Sequence, residues 1–193
     1  DMTDHGSAAA SSLMNALRAT YDASIAVGYS PLVSTSIYCG DYSKQQLLWV
    51  MAGNYAVSQG EYTGAELRQM MEWLVNVKDN GANPIRHRNY MPVTSGMEYK
   101  VTEYELGKFR LEEVTINGAP LDDTATYLVF VAGTDVWIEN EAYCNCPMPE
   151  NLKTKRTEYA IEGAESRSCL KDSLAVSKQF PAPSEYLTIV QGE

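Results

Sequence analysis

Apolar positions along the chain switch between helical and strand periods, and the switches mark out elements. From Gly6 to Tyr21, Leu13, Met14, Leu17 and Tyr21 recur at helical spacing. Ala8-Ala9-Ala10 adds helix propensity and a surface that another element can approach closely. The short run Ser24-Ile25-Ala26-Val27 reads as a buried strand, broken at Gly28-Tyr29-Ser30-Pro31. Cys39-Gly40-Asp41-Tyr42 reads as a turn. Ser43 then opens a helix, with Gln46 three residues on completing a capping box and Leu47, Leu48, Val50 and Met51 on the apolar side. Tyr55 to Ser58 predicts a strand leading to Glu61-Tyr62. The clearest helix starts at Thr63, again with Glu66 three residues on, and carries Leu67, Met70, Met71, Leu74 and Val77 on one stripe. Its opposite face holds Glu66, Arg68, Gln69 and Glu72, so the Met-rich stripe is core rather than a binding face.

Lys78 to Tyr90 is a polar loop with His87 between Arg86 and Arg88. Met91 to Val101 alternates as a strand, interrupted at Ser95-Gly96. Phe109 and Leu111 alternate in one phase, Val114 and Ile116 in the other. A bulge near Glu112-Glu113 would bring all four to one face, and Asn117-Gly118 closes the strand with a turn. Tyr127 to Ala132 is continuously apolar, as a central strand covered on both faces requires. Glu139 to Gly163 reads as irregular. A helix near Glu165 to Lys178 turns Leu170 and Leu174 inward, and Tyr186 to Val190 predicts a last strand. Helices and strands are interspersed without strict alternation or internal repeat. This predicts an α+β fold: one domain over residues 1–193, with a mixed β-sheet flanked by helices.

Composition narrows the picture. The 193 residues carry 15 Lys+Arg against 25 Asp+Glu, a net charge of −10, which repels phosphate backbones and anionic lipid. Nucleic acid is therefore an unsuitable partner. No apolar run approaches the roughly 20 residues of a membrane helix, so the chain is not expected to insert in a membrane. The start, Asp1-Met2-Thr3, has no signal-peptide character, and the chain reads as a piece of something longer. The four cysteines, Cys39, Cys144, Cys146 and Cys169, lean towards export by their even number. Their pairing stays open, as disulfides or free thiols. Cys144-x-Cys146 is too tight for the usual zinc or redox spacings, and His5 and His87 are remote from it.

Four stretches share order and spacing with a known family. They are Ile25-Ala26-Val27 followed by Ile37-x-x-Gly40-Asp41-Tyr42-Ser43; Tyr62-Thr63-Gly64-Ala65-Glu66-Leu67; Pro92-Val93-Thr94-Ser95-Gly96-Met97-Glu98-Tyr99; and Val114-Thr115-Ile116-Asn117-Gly118-Ala119-Pro120-Leu121-Asp122 with Tyr127-Leu128-Val129. Together they resemble the C-terminal domain of the 5′-nucleotidase / UDP-sugar hydrolase family. The resemblance covers about residues 6–137 and matches the last helix and strand more weakly. It implies an exported parent protein, extracellular, at the cell surface or periplasmic. It also implies a metallophosphoesterase domain upstream as partner, carrying a divalent metal pair and the catalytic histidine. The C-terminal domain would bind the nucleoside part of a nucleotide substrate, two aromatic rings holding the base and arginines holding charged or hydroxyl groups.

At the family's substrate-binding positions this sequence is largely substituted. Ser11 and Ser34 stand where the resemblance implies arginines, Gly53 where it implies the first ring, and Thr134 near the second. Tyr55 and Trp137 are the aromatic residues near enough to replace a ring. The family's Gly-Gly-Asp-Gly loop reads Ile138-Glu139-Asn140-Glu141. With two histidines, and no nucleophile elbow, P-loop or zinc-protease helix, the chain is expected to hold no catalytic or metal site of its own. The neighbours Asp122-Asp123 and Glu112-Glu113 point opposite ways in extended chain and read as solvated surface. Trp49, Trp73 and Trp137 read as packing residues. A competing reading is a degenerate, non-catalytic binding or structural module that no longer takes a nucleoside.

Overall fold

Ser7 starts the first helix. Its backbone is extended and its hydroxyl accepts from the amide of Ala10 at 3.4 Å, supplying one of the donors that a helix start leaves unsatisfied with its partner. The helix, α1 (Ala8–Thr20), buries Leu13, Met14 and Leu17 as the periodicity predicts. The structure is a computed structural model that describes residues 7–29, 43, 45–46, 55–76, 91–106, 108–132, 148–177 and 179–192. The remaining elements are β1 (Ile25–Tyr29), β2 (Ala56–Thr63), α2 (Gly64–Asn76), β3 (Pro92–Ser95), β4 (Glu98–Glu105), β5 (Lys108–Ile116), β6 (Ala119–Pro120), β7 (Thr126–Ala132), α3 (Glu150–Glu158), β8 (Ala160–Glu165), α4 (Ser166–Ser177) and β9 (Leu187–Gln191).

The fold is α+β, as expected, but the strands divide into two mixed sheets rather than one. The first runs β3-β1-β7-β2-β8 and the second β6-β5-β4-β9. In the first, β7 is central and lies parallel to β1 and antiparallel to β2. That position suits its apolar sequence. In the second, β9 returns parallel to β4. Helix α1 packs on β1, β3 and α4, while α2 touches strands of both sheets, β2 and β3 in one and β5 in the other. One continuous apolar cluster therefore joins the layers, from Leu13 and Phe130 to Phe109 and Leu187.

Strand β1 does not break at Gly28. It continues through Tyr29, because Gly28 is paired on both sides, with Val93 and with Ala132. Two ladders of hydrogen bonds outweigh the roughly 1 kcal/mol entropic cost of glycine in a strand. Strand β2 likewise runs unbroken from Ala56 through Gly60. There a Cβ would lie 1.9 Å from the Tyr159 ring, so the glycine is what lets that ring rest on the strand. The predicted bulge is present: Lys100 faces Glu113 and Val101 faces Leu111, which leaves Glu112 as the extra residue. Phe109 and Val114 are buried, and Leu111 and Ile116 pack against the same core. Asn117 and Gly118 both take positive φ, 53° and 77°, to make the turn into β6.

Glu139 to Gly163 is not irregular throughout. Residues 150–158 form α3 and 160–165 form β8. Helix α3 has no amphipathic stripe to announce it. Leu152 is its buried residue, and its other attachments are polar. Lys155 reaches Glu66 at 2.6 Å and lies over the Tyr62 ring at 5.4 Å.

Both expected capping boxes close. The Ser43 amide donates to Gln46 at 2.8 Å and the Gln46 amide to Ser43 at 3.2 Å. Thr63 and Glu66 do the same at 2.8 and 3.2 Å. Burial works against the charge on Glu66, but Lys155 and Thr63 outweigh it and hold the carboxyl below its ordinary 4.5. Its pKa is lower folded than unfolded, so the stability it adds is present above the ordinary value and lost as pH falls through the folded value. Lys155→Met should remove much of that dependence. Urea midpoints taken at neutral pH and at about pH 3 should fall further in the wild type than in K155M. Equal falls would mean that Lys155 contributes nothing to that linkage.

Candidate functional site

Strands β1 and β7 are adjacent and parallel, with Ile25 opposite Val129 and Gly28 opposite Ala132. Their carboxyl ends therefore lie side by side, the place where open α/β sheets commonly bind ligands. Strand β2 runs the other way, so its first residues reach the same edge: Val57 pairs with Ala132. Strand β3 adds Pro92 opposite Tyr29. One edge of the five-stranded sheet thus gathers the end of β1, the end of β7 and the start of β2. The six candidate positions include two that follow β7 (Thr134, Trp137), one that follows β1 (Ser34) and two that precede β2 (Gly53, Tyr55). Ser34, Gly53, Thr134 and Trp137 themselves lie outside the described residues, as do His5, His87, Cys39, Cys144, Cys146, Trp49 and the Lys78–Tyr90 loop.

Tyr55 is described and sits at this edge. Its backbone is clamped to the start of α4: its amide donates to the Ser166 hydroxyl at 3.0 Å and its carbonyl accepts from the Ser166 amide at 2.8 Å. The Tyr55 side chain is half-buried and packs against the core. The backbone clamp fixes where the residue stands, and the half-burial leaves less of its ring for a ligand.

Ser11 is 0 % exposed. Its hydroxyl donates to the Ser184 carbonyl at 2.8 Å, and the Ser184 amide donates back to it at 2.8 Å. The segment before β9 is thereby strapped along α1. Asn15 extends the strap, donating to the Ala182 carbonyl at 2.8 Å and accepting from the Ser95 hydroxyl at 2.6 Å. The structure gives Ser11 a tethering role, with no polar atom left over for a ligand. Ser184, Asn15 and Ser95 carry no local signal that marks them as members of this strap; the Ser11–Ser184 contact spans 173 positions.

Elsewhere the acidic neighbours act as surface residues. Asp122 accepts from the Thr124 hydroxyl at 2.7 Å and the Thr124 amide at 2.9 Å, which lower its pKa. Asp123 pairs instead with Arg68 at 2.8 Å, and Glu112 with Arg110 at 2.9 Å. Trp73 is buried core. Cys169 is a free, buried thiol that accepts from the Tyr21 hydroxyl at 2.9 Å. Burial pushes its pKa up, the opposite of an activated nucleophile. Among the described residues no three His, Cys, Asp or Glu side chains are placed to hold a metal ion, and no helix is long and apolar enough to cross a membrane.

Comparison with known proteins gives a consistent pattern. The family model described as 5′-nucleotidase, C-terminal domain, matches residues 3–134. Comparison with curated protein sequences finds no match. Among solved structures, the chain resembles a 5′-nucleotidase precursor from Thermus thermophilus, with a TM-score of 0.65 at 18 % identity over 95 % of this chain. It also resembles the NAD nucleotidase of Haemophilus influenzae, with a TM-score of 0.69 at 14 % identity over 98 % of this chain. A putative 5′-nucleotidase from Staphylococcus aureus gives 0.63 at 17 % identity over 93 %. At such identities the likeness shows the fold. The chain spans about a third of each of those structures, namely 35 %, 34 % and 36 % of their chains.

Proposed function

This chain belongs to the 5′-nucleotidase C-terminal domain family, and from that premise we propose that it is the substrate-side domain of an exported, nucleotide-hydrolysing metallophosphoesterase. The observation that carries the reading is the family match together with the edge where β1, β7 and β2 meet, whose strands are flanked in sequence by the candidate positions Ser34, Gly53, Tyr55, Thr134 and Trp137. In this reading a divalent metal pair belongs to an upstream domain, where it would activate water and clamp a phosphate. This chain contributes surface for the nucleoside and no catalytic group. Tyr55 and Trp137 are its available rings, and a ring stacks on any base.

One observation favours a second reading, a module that has lost the nucleoside. Ser11, at the position of a family arginine, is sealed under the Ser184 strap. An arginine supplies a planar fork of donors that a serine cannot replace.

Two measurements separate the readings. The chain alone, incubated with a nucleoside monophosphate and a divalent metal, should release no more phosphate than a protein-free control. Turnover above that control would overturn the assignment of catalysis to another domain. A rise in melting temperature with millimolar adenosine supports nucleoside binding by the isolated chain. No rise supports the degenerate module.

A further inference from the structure

A cavity of about 330 Å³ opens at the opposite edge of the five-stranded sheet from Tyr55. It is walled by the end of α1, the turn joining β3 to β4, the β5–β6 turn and the segment before β9. Its volume falls within the range of small-molecule sites. Its one cationic lining residue is Arg18, half-buried. Two carboxylates, Glu98 and Glu185, line the same space. Among the described residues the guanidinium makes no hydrogen bond and no ion pair with either of them.

That separation is unusual in a chain with ten surplus negative charges. The end of α1 accounts for a cation there, because a helix carboxyl end favours positive charge. It does not account for the absence of a carboxylate partner when two line the cavity. The backbone beside Arg18 is kept bare. Gly96 has φ +78°, and a Cβ on it would lie 2.2 Å from the Arg18 guanidinium and 2.4 Å from the Ser24 carbonyl. The wall is also fixed, since Asn15 is bonded to Ser95 at the end of β3 and to Ala182 in the segment before β9. Asn117 and Ser184 add an amide and a hydroxyl to the lining.

We infer that this cavity binds a small zwitterion, a polar α-amino acid, with its carboxylate on Arg18 and its ammonium between Glu98 and Glu185. Two carboxylates beside one guanidinium disfavour a phosphate or any other simple anion. Separated charges of both signs favour a ligand that carries both. The amide and hydroxyl lining suits a side chain that donates and accepts hydrogen bonds. The inference does not depend on the nucleoside reading, since it uses none of the positions at the other edge.

The test is calorimetric titration of the full chain with L-glutamine, with its α-carboxamide (no carboxylate) and with its N-acetyl derivative (no ammonium). L-glutamine should bind saturably and the two derivatives at least ten-fold more weakly, about the loss expected for one charged hydrogen bond. Arg18→Gln should weaken L-glutamine by roughly 10- to 100-fold. Glu185→Gln, on an exposed residue, should weaken it as well and serves if R18Q does not fold. Matched melting curves establish that each variant is folded. No saturable binding of L-glutamine overturns the proposal. So does equal binding of the N-acetyl derivative, which would indicate an anion site, or unchanged affinity in the folded variants.

Discussion

Replacing Phe130 with alanine should cost about 3–5 kcal/mol of unfolding free energy, enough to leave a domain of ordinary stability close to unfolding. Phe130 is 0 % exposed in the central strand β7, with Ala26 opposite it on β1 and Gln59 on β2. Its ring stacks on Tyr21 at 4.6 Å and 28°. Tyr21 in turn donates to Cys169 on α4 and accepts at its carbonyl from the Gln59 side chain at 2.8 Å. Truncation therefore loses the transfer energy of the ring, leaves a cavity that two paired neighbours cannot close, and removes a stacked partner worth roughly 0.5–1.5 kcal/mol. Urea unfolding followed by circular dichroism reads the change. Val176→Ala is the control: Val176 is 84 % exposed, and its loss should stay within about 0.5 kcal/mol. A loss below about 1 kcal/mol for F130A would mean that β7 is not the centre of the core.

The second large effect runs against intrinsic propensity. Gly64 opens α2, where alanine would on its own raise helix stability by about 1 kcal/mol. Here a Cβ would lie 2.0 Å from the Asp122 carbonyl oxygen and 2.9 Å from the Asp123 Cα. Both are backbone atoms, and neither can swing aside as a side chain would. The same turn is bonded to the start of α2, the Gly64 amide to the Ala125 carbonyl at 2.9 Å and the Ala65 amide to the Asp123 carbonyl at 3.0 Å. Relief of the clash must break those bonds or shift the helix, so Gly64→Ala should destabilise by about 3 kcal/mol, at the upper end for overpacking. Gly163→Ala separates sterics from dihedral strain. Gly163 also has a positive φ, +71°, but a Cβ there meets nothing within 4 Å. That variant should cost only about 1–2 kcal/mol. If G64A is as stable as the wild type, the 121–125 turn does not abut α2 as described.

Much of the fold is legible along the chain because its signals are local. The Thr63/Glu66 box announces α2, and the phase change between Leu111 and Val114 announces the Glu112 bulge. The unbroken apolar run of β7 announces a covered strand. Helix α3 and strand β8 are not legible. Leu152 alone of α3 is buried, and the pairing of β8 with β2 is irregular, with Ser58 facing Ala160 and Ala56 facing Glu165. Those elements are held by what they meet: the Tyr159 ring over Gly60, and Lys155 on Glu66 and Tyr62. The candidate site divides in the same way. Residue order places Tyr55 just before a strand, but the antiparallel pairing of β2 with β7 is what brings it to the edge beside Ala132.

The periods, the caps, the bulge and the family follow from residue order, since each rests on residues a few positions apart or on their succession. Long-range packing produced the split into two sheets, the fate of Ser11 beneath Ser184, and the stranding of Arg18 from Glu98 and Glu185 in one cavity. Those outcomes depend on chain segments brought together across long separations, where packing and hydrogen bonding choose the partner and no local pattern records the choice.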